Sequence, residues 1–270
     1  MWYKDAESFK KAAGHEVGSV WYPRVTKILD VKAKPALDIF FKEMGSYKAA
    51  EEVKMKSAEE GTKVHEIVQA LAVGKDIEIT DKTKPVAEAF SEFNKTANIV
   101  FHPEFIERPI WSQLHRYSGT IDALATVGGK FGVLDIKTST GFYPEYNLQT
   151  AAYVLALQEN DVKKALELPG EIQTRWILRV DQQRTCLRCG STLREKGGRS
   201  KVRPVKISID INRYQSISDC NNAHYWGPTK GIVELREFPY YIRDIKAFLA
   251  AKILWEWEND YWLRRIGYLR

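Results

Sequence analysis

The dipeptide Gly128-Gly129 separates two short runs, residues 119–127 and 130–138, in which apolar and polar residues alternate. Two glycines between such runs mark a β-hairpin closed by a two-residue turn, because that turn needs positive φ at both positions. With this turn, Val127 faces Lys130, Asp122 faces Asp135 and Thr120 faces Lys137. Side chains alternate along a strand. Thr120, Asp122, Asp135 and Lys137 then share one face, and Ile121, Ala123, Ala125, Val127, Leu134 and Ile136 form a core-like other face. A longer loop would shift this register, and a slip of one residue would exchange the faces.

Around the hairpin the apolar spacing is helical. Residues 21–29 carry Val25, Ile28 and Leu29 after Pro23. Pro35 can open a helix with Leu37, Phe40, Phe41 and Met44 on one face and Gly45 as its stop. Residues 57–73 place Val64, Ile67, Val68 and Leu71 on one stripe, and 84–97, 144–160 and 238–261 are further helical stretches. Residues 99–109, 174–180 and 205–211 read as strands. Helices, strands, a helix, more strands and a last helix make an α+β core, not the strict alternation of a doubly wound fold.

At 270 residues, one or two domains are expected. The reading is a single domain: a helical part over 1–98, a core over 99–180, a basic cysteine-containing hairpin insertion over 181–235 and a C-terminal helix over 236–270. No apolar run approaches the roughly 18 residues of a membrane span. The charged first 14 residues do not read as a secretory signal. A cytoplasmic protein is the expectation, and oligomeric state is not readable.

Two aspartates directly opposed in a hairpin have Cβ atoms about 4.5–5.5 Å apart, a destabilising arrangement unless a positive charge lies between them. A hard divalent cation such as Mg²⁺ takes carboxylate oxygens, and Lys137 on the same face would reach whatever that ion holds. The alternative is a solvated face on which the acids and lysine form a surface ion network.

Net charge is +6, and residues 171–213 hold 11 basic and 4 acidic residues, which leaves −1 for the rest. In this segment Arg184, Arg188, Arg194, Lys196, Arg199, Lys201 and Arg203 crowd one connection, with Gly197-Gly198 read as a flexible tip. It is either a finger binding a phosphodiester backbone or a solvated loop. Cys186-Leu-Arg-Cys189-Gly190 is similar to a zinc knuckle. A structural zinc needs four ligands, and Cys220 and His224 are the available others; the alternative is a set of reduced cysteines. Three cysteines cannot supply a four-cysteine iron–sulfur cluster.

Gly119-Thr-Ile-Asp122, Asp135-Ile-Lys137 and Gln149-Thr-Ala-Ala-Tyr153, with Gly61-Thr-Lys-Val-His65 upstream, resemble the PD-(D/E)xK nuclease superfamily in its RecB-like exonuclease branch, as found in phage and viral members. The resemblance implies a restriction-endonuclease-like core, a mixed sheet flanked by helices. It implies that Asp122, Asp135 and the backbone carbonyl of Ile136 hold one or two Mg²⁺ or Mn²⁺ ions, with His65 as a further ligand. Lys137 would orient or deprotonate the attacking water. Gln149 and Tyr153, one helical turn apart, would hold the lysine and the DNA backbone, with Thr138 beside them. Glu107 reads as structural or supporting. Trp111, His115 and Tyr117 would stack on unpaired bases or pack at the rim.

The implied activity is metal-dependent hydrolysis of phosphodiester bonds to a 5′-phosphate and a 3′-hydroxyl. The expected enzyme is a single-stranded DNA exonuclease of replication, recombination or repair, in a prokaryotic or phage-infected cell. The rivals are a structure-specific or double-strand endonuclease of the same superfamily and a non-catalytic zinc-containing DNA-binding module.

Overall fold

The computed structural model describes residues 3–210, 213–217, 220 and 223–270, without side-chain placement at 36, 206–210 and 213–217. The expected strand over 205–211 therefore ends, at 211, outside the described residues.

The N-terminal part is built from helices around one small hairpin. α1 (Ala6–Ala13) is capped by Asp5, whose carboxylate accepts from the Ser8 amide at 2.7 Å. β1 (Gly14–Val17) and β2 (Val20–Pro23) pair antiparallel, a hairpin not foreseen in the sequence. α2 (Val25–Ile28) follows, then α3 (Pro35–Met44), which starts on proline and ends at Gly45 with φ 64°. α4 (Tyr47–Ala72) begins ten residues before the expected 57, and its apolar stripe buries Ile67 and Val68. α5 (Lys84–Ala97) has the expected bounds.

The expected strand over 99–109 is broken. β3 (Val100–Phe101) and β4 (Arg108–Ser112) flank a tight turn at Pro103–Phe105, where proline cannot donate to a ladder. β5 (Tyr117–Ile121), β6 (Ala123–Val127) and β7 (Lys130–Lys137) come next, then α6 (Pro144–Leu157) and α7 (Asn160–Leu166). The long β8 (Thr174–Thr185) leads to β9 (Thr192–Lys196), β10 (Arg199–Arg203), β11 (Val205–Asp210) and β12 (Arg213–Ile217). β13 (Lys230–Glu237), α8 (Ile242–Glu258) and α9 (Asp260–Arg265) close the chain.

The result is an α+β fold with a central mixed sheet between helices. β8 is its hub: it pairs parallel with β7, antiparallel with β13 and, at its far end, antiparallel with β9. β6 and β3 complete one side, and β10 the other. The parallel β7–β8 pair needs a crossover, supplied by α6 and α7. The range 181–235 thus contributes β13 to the central sheet as well as the basic hairpin.

The β6–β7 turn has φ 56° and 78° at Gly128 and Gly129, and the register runs from Val127↔Lys130 to Ala123↔Leu134, as alternation predicts. One side of the sheet buries Leu124 and Val133 against α6, α8 and the N-terminal helices. The other buries Ala123, Ala125, Leu134 and Ile136 against α4 and α5. Ile121 departs from expectation and joins the first core. The chain bends at Asp122, and β5 leaves the hairpin to pair with β4, so the alternation restarts there. Thr120 accordingly faces Pro109, not Lys137.

Candidate metal centre and basic cleft

The bend at Asp122 creates the site. It lies where β5 peels away from β6, opening the C-terminal end of β7 between α4 and α6. Asp122 Oδ2 accepts the Ile136 amide at 2.6 Å, so its carboxylate lies across the end of β7. His65, from α4, puts Nδ1 3.7 Å from the same oxygen. Lys137 Nζ lies 2.7 Å from Asp135 Oδ2. Asp135 is 0% exposed, and neither of its carboxylate oxygens meets a well-directed hydrogen-bond donor. Buried polar atoms in folded proteins are nearly always satisfied. Apart from the Lys137 ammonium this carboxylate has no partner, and a metal cation would supply one.

The electrostatics follow from the burial. Burial pushes the Asp122 pKa up to about 6, against the opposing pull of Lys137 and the Ile136 amide. Burial also raises Asp135 to about 6, with Lys137 lowering and the Asp122 charge adding to the rise. Burial works against the Lys137 charge, but the two carboxylates outweigh it and hold the ammonium above the usual lysine range. Lys137 is thus a firm cation at neutral pH. Its Nζ also stands 5.1 Å from the centre of the Tyr146 ring. Burial and the Lys137 charge lower the pKa of His65, which favours the neutral imidazole that binds metals.

Glu107 was expected to be structural or supporting. Its ligand oxygen lies within 4.8 Å of those of His65 and Asp122, so the three form a group able to hold a metal ion. Its φ of 49° and its amide, which donates to the Asp122 carbonyl at 3.2 Å, set it beside Asp122, with the residue itself still exposed. Gln69, one helical turn beyond His65, donates to Glu107 Oε1 at 2.5 Å. The His65–Gln69 spacing was a readable signal, but nothing local linked it to Glu107. At Ile136, the expected carbonyl ligand, it is the amide N–H that meets the site, donating to the Asp122 carboxylate.

Gln149 and Tyr153 lie on α6, on the Asp135 side of the sheet. Gln149 Nε2 donates to the Tyr153 hydroxyl at 2.9 Å. Tyr153 is buried, and a Cβ built on Gly119 would meet its ring at 2.6 Å. Glycine at 119 is thus what lets the ring lie under β5. Gly61 acts likewise: its Cβ would come 3.0 Å from Thr138 Oγ1, so glycine lets α4 approach the end of β7. We expect Gly119→Ala to lower stability by about 1–3 kcal/mol through overpacking. Thermal melting would test this; an unchanged midpoint would show that Tyr153 repacks freely.

The basic residues are less free than the sequence implied. The Gly197-Gly198 tip is a tight turn docked on α4, with the Gly197 amide donating to Glu60 at 2.8 Å. Lys196 Nζ bonds both oxygens of Thr138, and Arg194 pairs with Asp181 at 2.7 Å. Arg199 and Lys201 share Glu43. Arg184 is committed to the carbonyls of Trp226 and Gly227, whereas Arg188 and Arg203 are exposed. Between this hairpin, α3, α4 and the loop after β7 lies a cleft of about 280 Å³, lined by Phe40, Ser57, Tyr143, Arg194, Lys196, Arg199, Lys201 and Arg203 among others. Thr138, next to Lys137 in the chain, is held by Lys196 of this cleft, while the carboxylates themselves do not line it.

No protein-family model and no curated protein matches the chain. The residues and their geometry therefore carry the functional reading.

The aromatic residues before Gly119 belong mainly to the core. Tyr117 is fully buried, donates to the Ala152 carbonyl at 2.7 Å and meets the Phe248 ring edge-on, and Trp111 packs against the same cluster. His115 lies beside Tyr117 with ring centroids 6.5 Å apart. Cys186, Cys189, Cys220 and His224 converge into a second group able to hold a metal ion, with ligand atoms within 4.8 Å of one another. Among the described residues, no helix is long and apolar enough to cross a membrane.

Proposed function

We propose that the chain is a metal-dependent deoxyribonuclease of the PD-(D/E)xK type, with a restriction-endonuclease-like core, acting on single-stranded DNA from free ends. The observation that carries this reading is the convergence of His65, Glu107 and Asp122 beside a buried Asp135 carboxylate whose one partner is the charged Lys137. A hard cation satisfies these carboxylates. The oxygen-rich donor set with one imidazole fits Mg²⁺ or Mn²⁺.

Asp122, His65 and Glu107, whose ligand atoms converge, would hold the ion, and Asp135, which faces Lys137 in the metal-free site, would join them. When bound, the ion supplies a water of lowered pKa and polarises the phosphoryl oxygen. The chain's own residues do the rest. Lys137 stays protonated, so it orients the water and offsets charge on the phosphate rather than taking a proton. Lys196 and Arg194 grip the Thr138 carbonyl and so fix the strand end that carries Lys137. Tyr153 and Gln149 brace the floor of the site. The cations of the cleft attract the polyanion that the carboxylates alone would repel.

The test is degradation of 5′- and 3′-labelled linear strands and of closed single-stranded circles, with Mg²⁺, Mn²⁺ or EDTA. Metal-dependent loss of the linear strands, with the circles intact, is the expected result. Cleavage of circles would replace the exonuclease reading by an endonuclease, and no cleavage of any DNA would remove the nuclease reading. The Cys186, Cys189, Cys220 and His224 group is read as a structural zinc site.

A further inference from the structure

We infer that the Cys₃His group is a tetrahedral zinc site that fastens the basic hairpin to the sheet, by an argument independent of the nuclease reading. The distances make the case. A tetrahedral zinc with Zn–S near 2.3 Å sets neighbouring sulfurs about 3.8 Å apart, and a sulfur and an imidazole nitrogen about 3.6 Å apart. Cys186 Sγ and Cys220 Sγ are 3.8 Å apart, and Cys189 Sγ and His224 Nδ1 are 3.4 Å apart. A disulfide would need about 2.05 Å. These are tetrahedron edges, not a thiol pair ready to oxidise.

The backbone supports the same reading. Gly190 turns the chain back after Cys189, with its amide donating to the Cys186 carbonyl at 2.9 Å. The two halves of the site are then tied by the Leu187 amide to the Tyr225 carbonyl at 2.8 Å and by the Cys186–Trp226 bridge. His224 packs against Trp226, with ring centroids 4.6 Å apart and planes tilted by 34°, which orients its ring.

The ligands come from two places. Cys186 and Cys189 follow β8 and precede the β9–β10 hairpin, whereas Cys220 and His224 precede β13. β8 and β13 are neighbours in the sheet. The zinc therefore clamps both ends of the excursion that carries β9 to β12. It sets the root of the hairpin, and Glu60, Thr138 and Glu43 receive its tip and flanks. Without the ion, the three thiols and the imidazole would add only weak hydrogen bonds to the backbone ties at this junction.

The experiment is metal analysis of the full chain purified in reductant without chelator, together with Co²⁺ substitution. About one zinc per chain is expected, with the visible absorption of tetrahedral thiolate-bound Co²⁺ on exchange. A Cys220→Ser variant should lose the zinc, whereas Asp122→Asn/Asp135→Asn should keep it. Where Cys220→Ser fails to fold, the Co²⁺ spectrum of the wild-type chain decides the point. Iron with labile sulfide, a mass two hydrogens lighter from a disulfide, zinc well below one per chain, or zinc lost only from the carboxylate variant would each overturn the site. Removing the zinc should also speed trypsin cleavage at Arg188, Arg199 and Lys201 by about tenfold or more, since a freed loop is cut in proportion to its open population. Unchanged cleavage would overturn the clamp.

Discussion

Asp135→Asn lowers metal-dependent DNA cleavage by roughly 10²–10³-fold or more while leaving the metal-free fold at least as stable at neutral pH. The first effect is the loss of a preorganised charged ligand from a centre whose task is electrostatic. The second follows from the same residue's surroundings. Its carboxylate is fully buried with the Lys137 ammonium as its one partner, and burial outweighs that pull, so removing its charge relieves a desolvation cost. Lys137 keeps Asp122 as a partner, because both acids act on it. Lys137→Ala should abolish cleavage to a similar degree with the opposite effect on stability, since it leaves two buried acids with no cation. The pair separates a functional site from a structural ion network. In a structural network, both changes destabilise and neither touches catalysis selectively. Initial cleavage rates and thermal midpoints of the two variants, measured side by side without metal and with Mg²⁺, check this. Asp135→Asn activity within tenfold of wild type would remove Asp135 from the centre.

The legible part of this site is what local chemistry decides. The Gly128-Gly129 turn dictates the β6–β7 register as far as Ala123↔Leu134 without reference to the rest of the chain, and Asp122 and Asp135 are the next residues beyond that pair. α5 was readable end to end, because Pro85 starts it, Asn98 in the left-handed region ends it and its apolar stripe is unbroken. α4 was readable only from its stripe. Its first ten residues are mostly charged and small, and burial of Ala50, not periodicity, places them. The bend at Asp122 was not readable, because it depends on β5 finding β4, a pairing set by tertiary competition. Glu107 was missed for the same reason: Gln69 and Asp122, distant in sequence, aim it. The Cys₃His group was readable as a composition of ligands, and its closure depended on β8 and β13 lying side by side. The basic segment was readable as charge. Its pairing with Glu43 and Asp181, and the docking of its tip on Glu60, were not, so the finger with a flexible tip expected from it is instead the wall of a cleft.

The metal-free protein should lose stability as pH rises from about 4 to somewhat above 6, and Mg²⁺ or Mn²⁺ should restore it at the alkaline end. Burial raises both Asp122 and Asp135 to about 6, above the ordinary aspartate value near 3.9. The folded state therefore binds protons at these groups more tightly than the unfolded chain does. Their stabilising contribution is fully present below about pH 4 and is lost as pH passes through about 6. Each pKa unit is worth about 1.4 kcal/mol. Two coupled groups sharing one lysine therefore amount to a few kcal/mol on this scale. An ion that binds the folded carboxylates reverses the sign, adding about 2.7 kcal/mol at a hundredfold excess over its dissociation constant. Protons compete for the same oxygens, so the metal effect should be large near pH 8 and small near pH 5. Other carboxylates titrate in this range, so the informative quantity is the difference between wild type and Asp122→Asn/Asp135→Asn. That variant should show a flatter pH profile and little response to Mg²⁺. Thermal unfolding across this range, with and without the ion, measures both. Parallel profiles for the two proteins would mean that the carboxylates are solvated, ordinary acids and that no cation belongs between them.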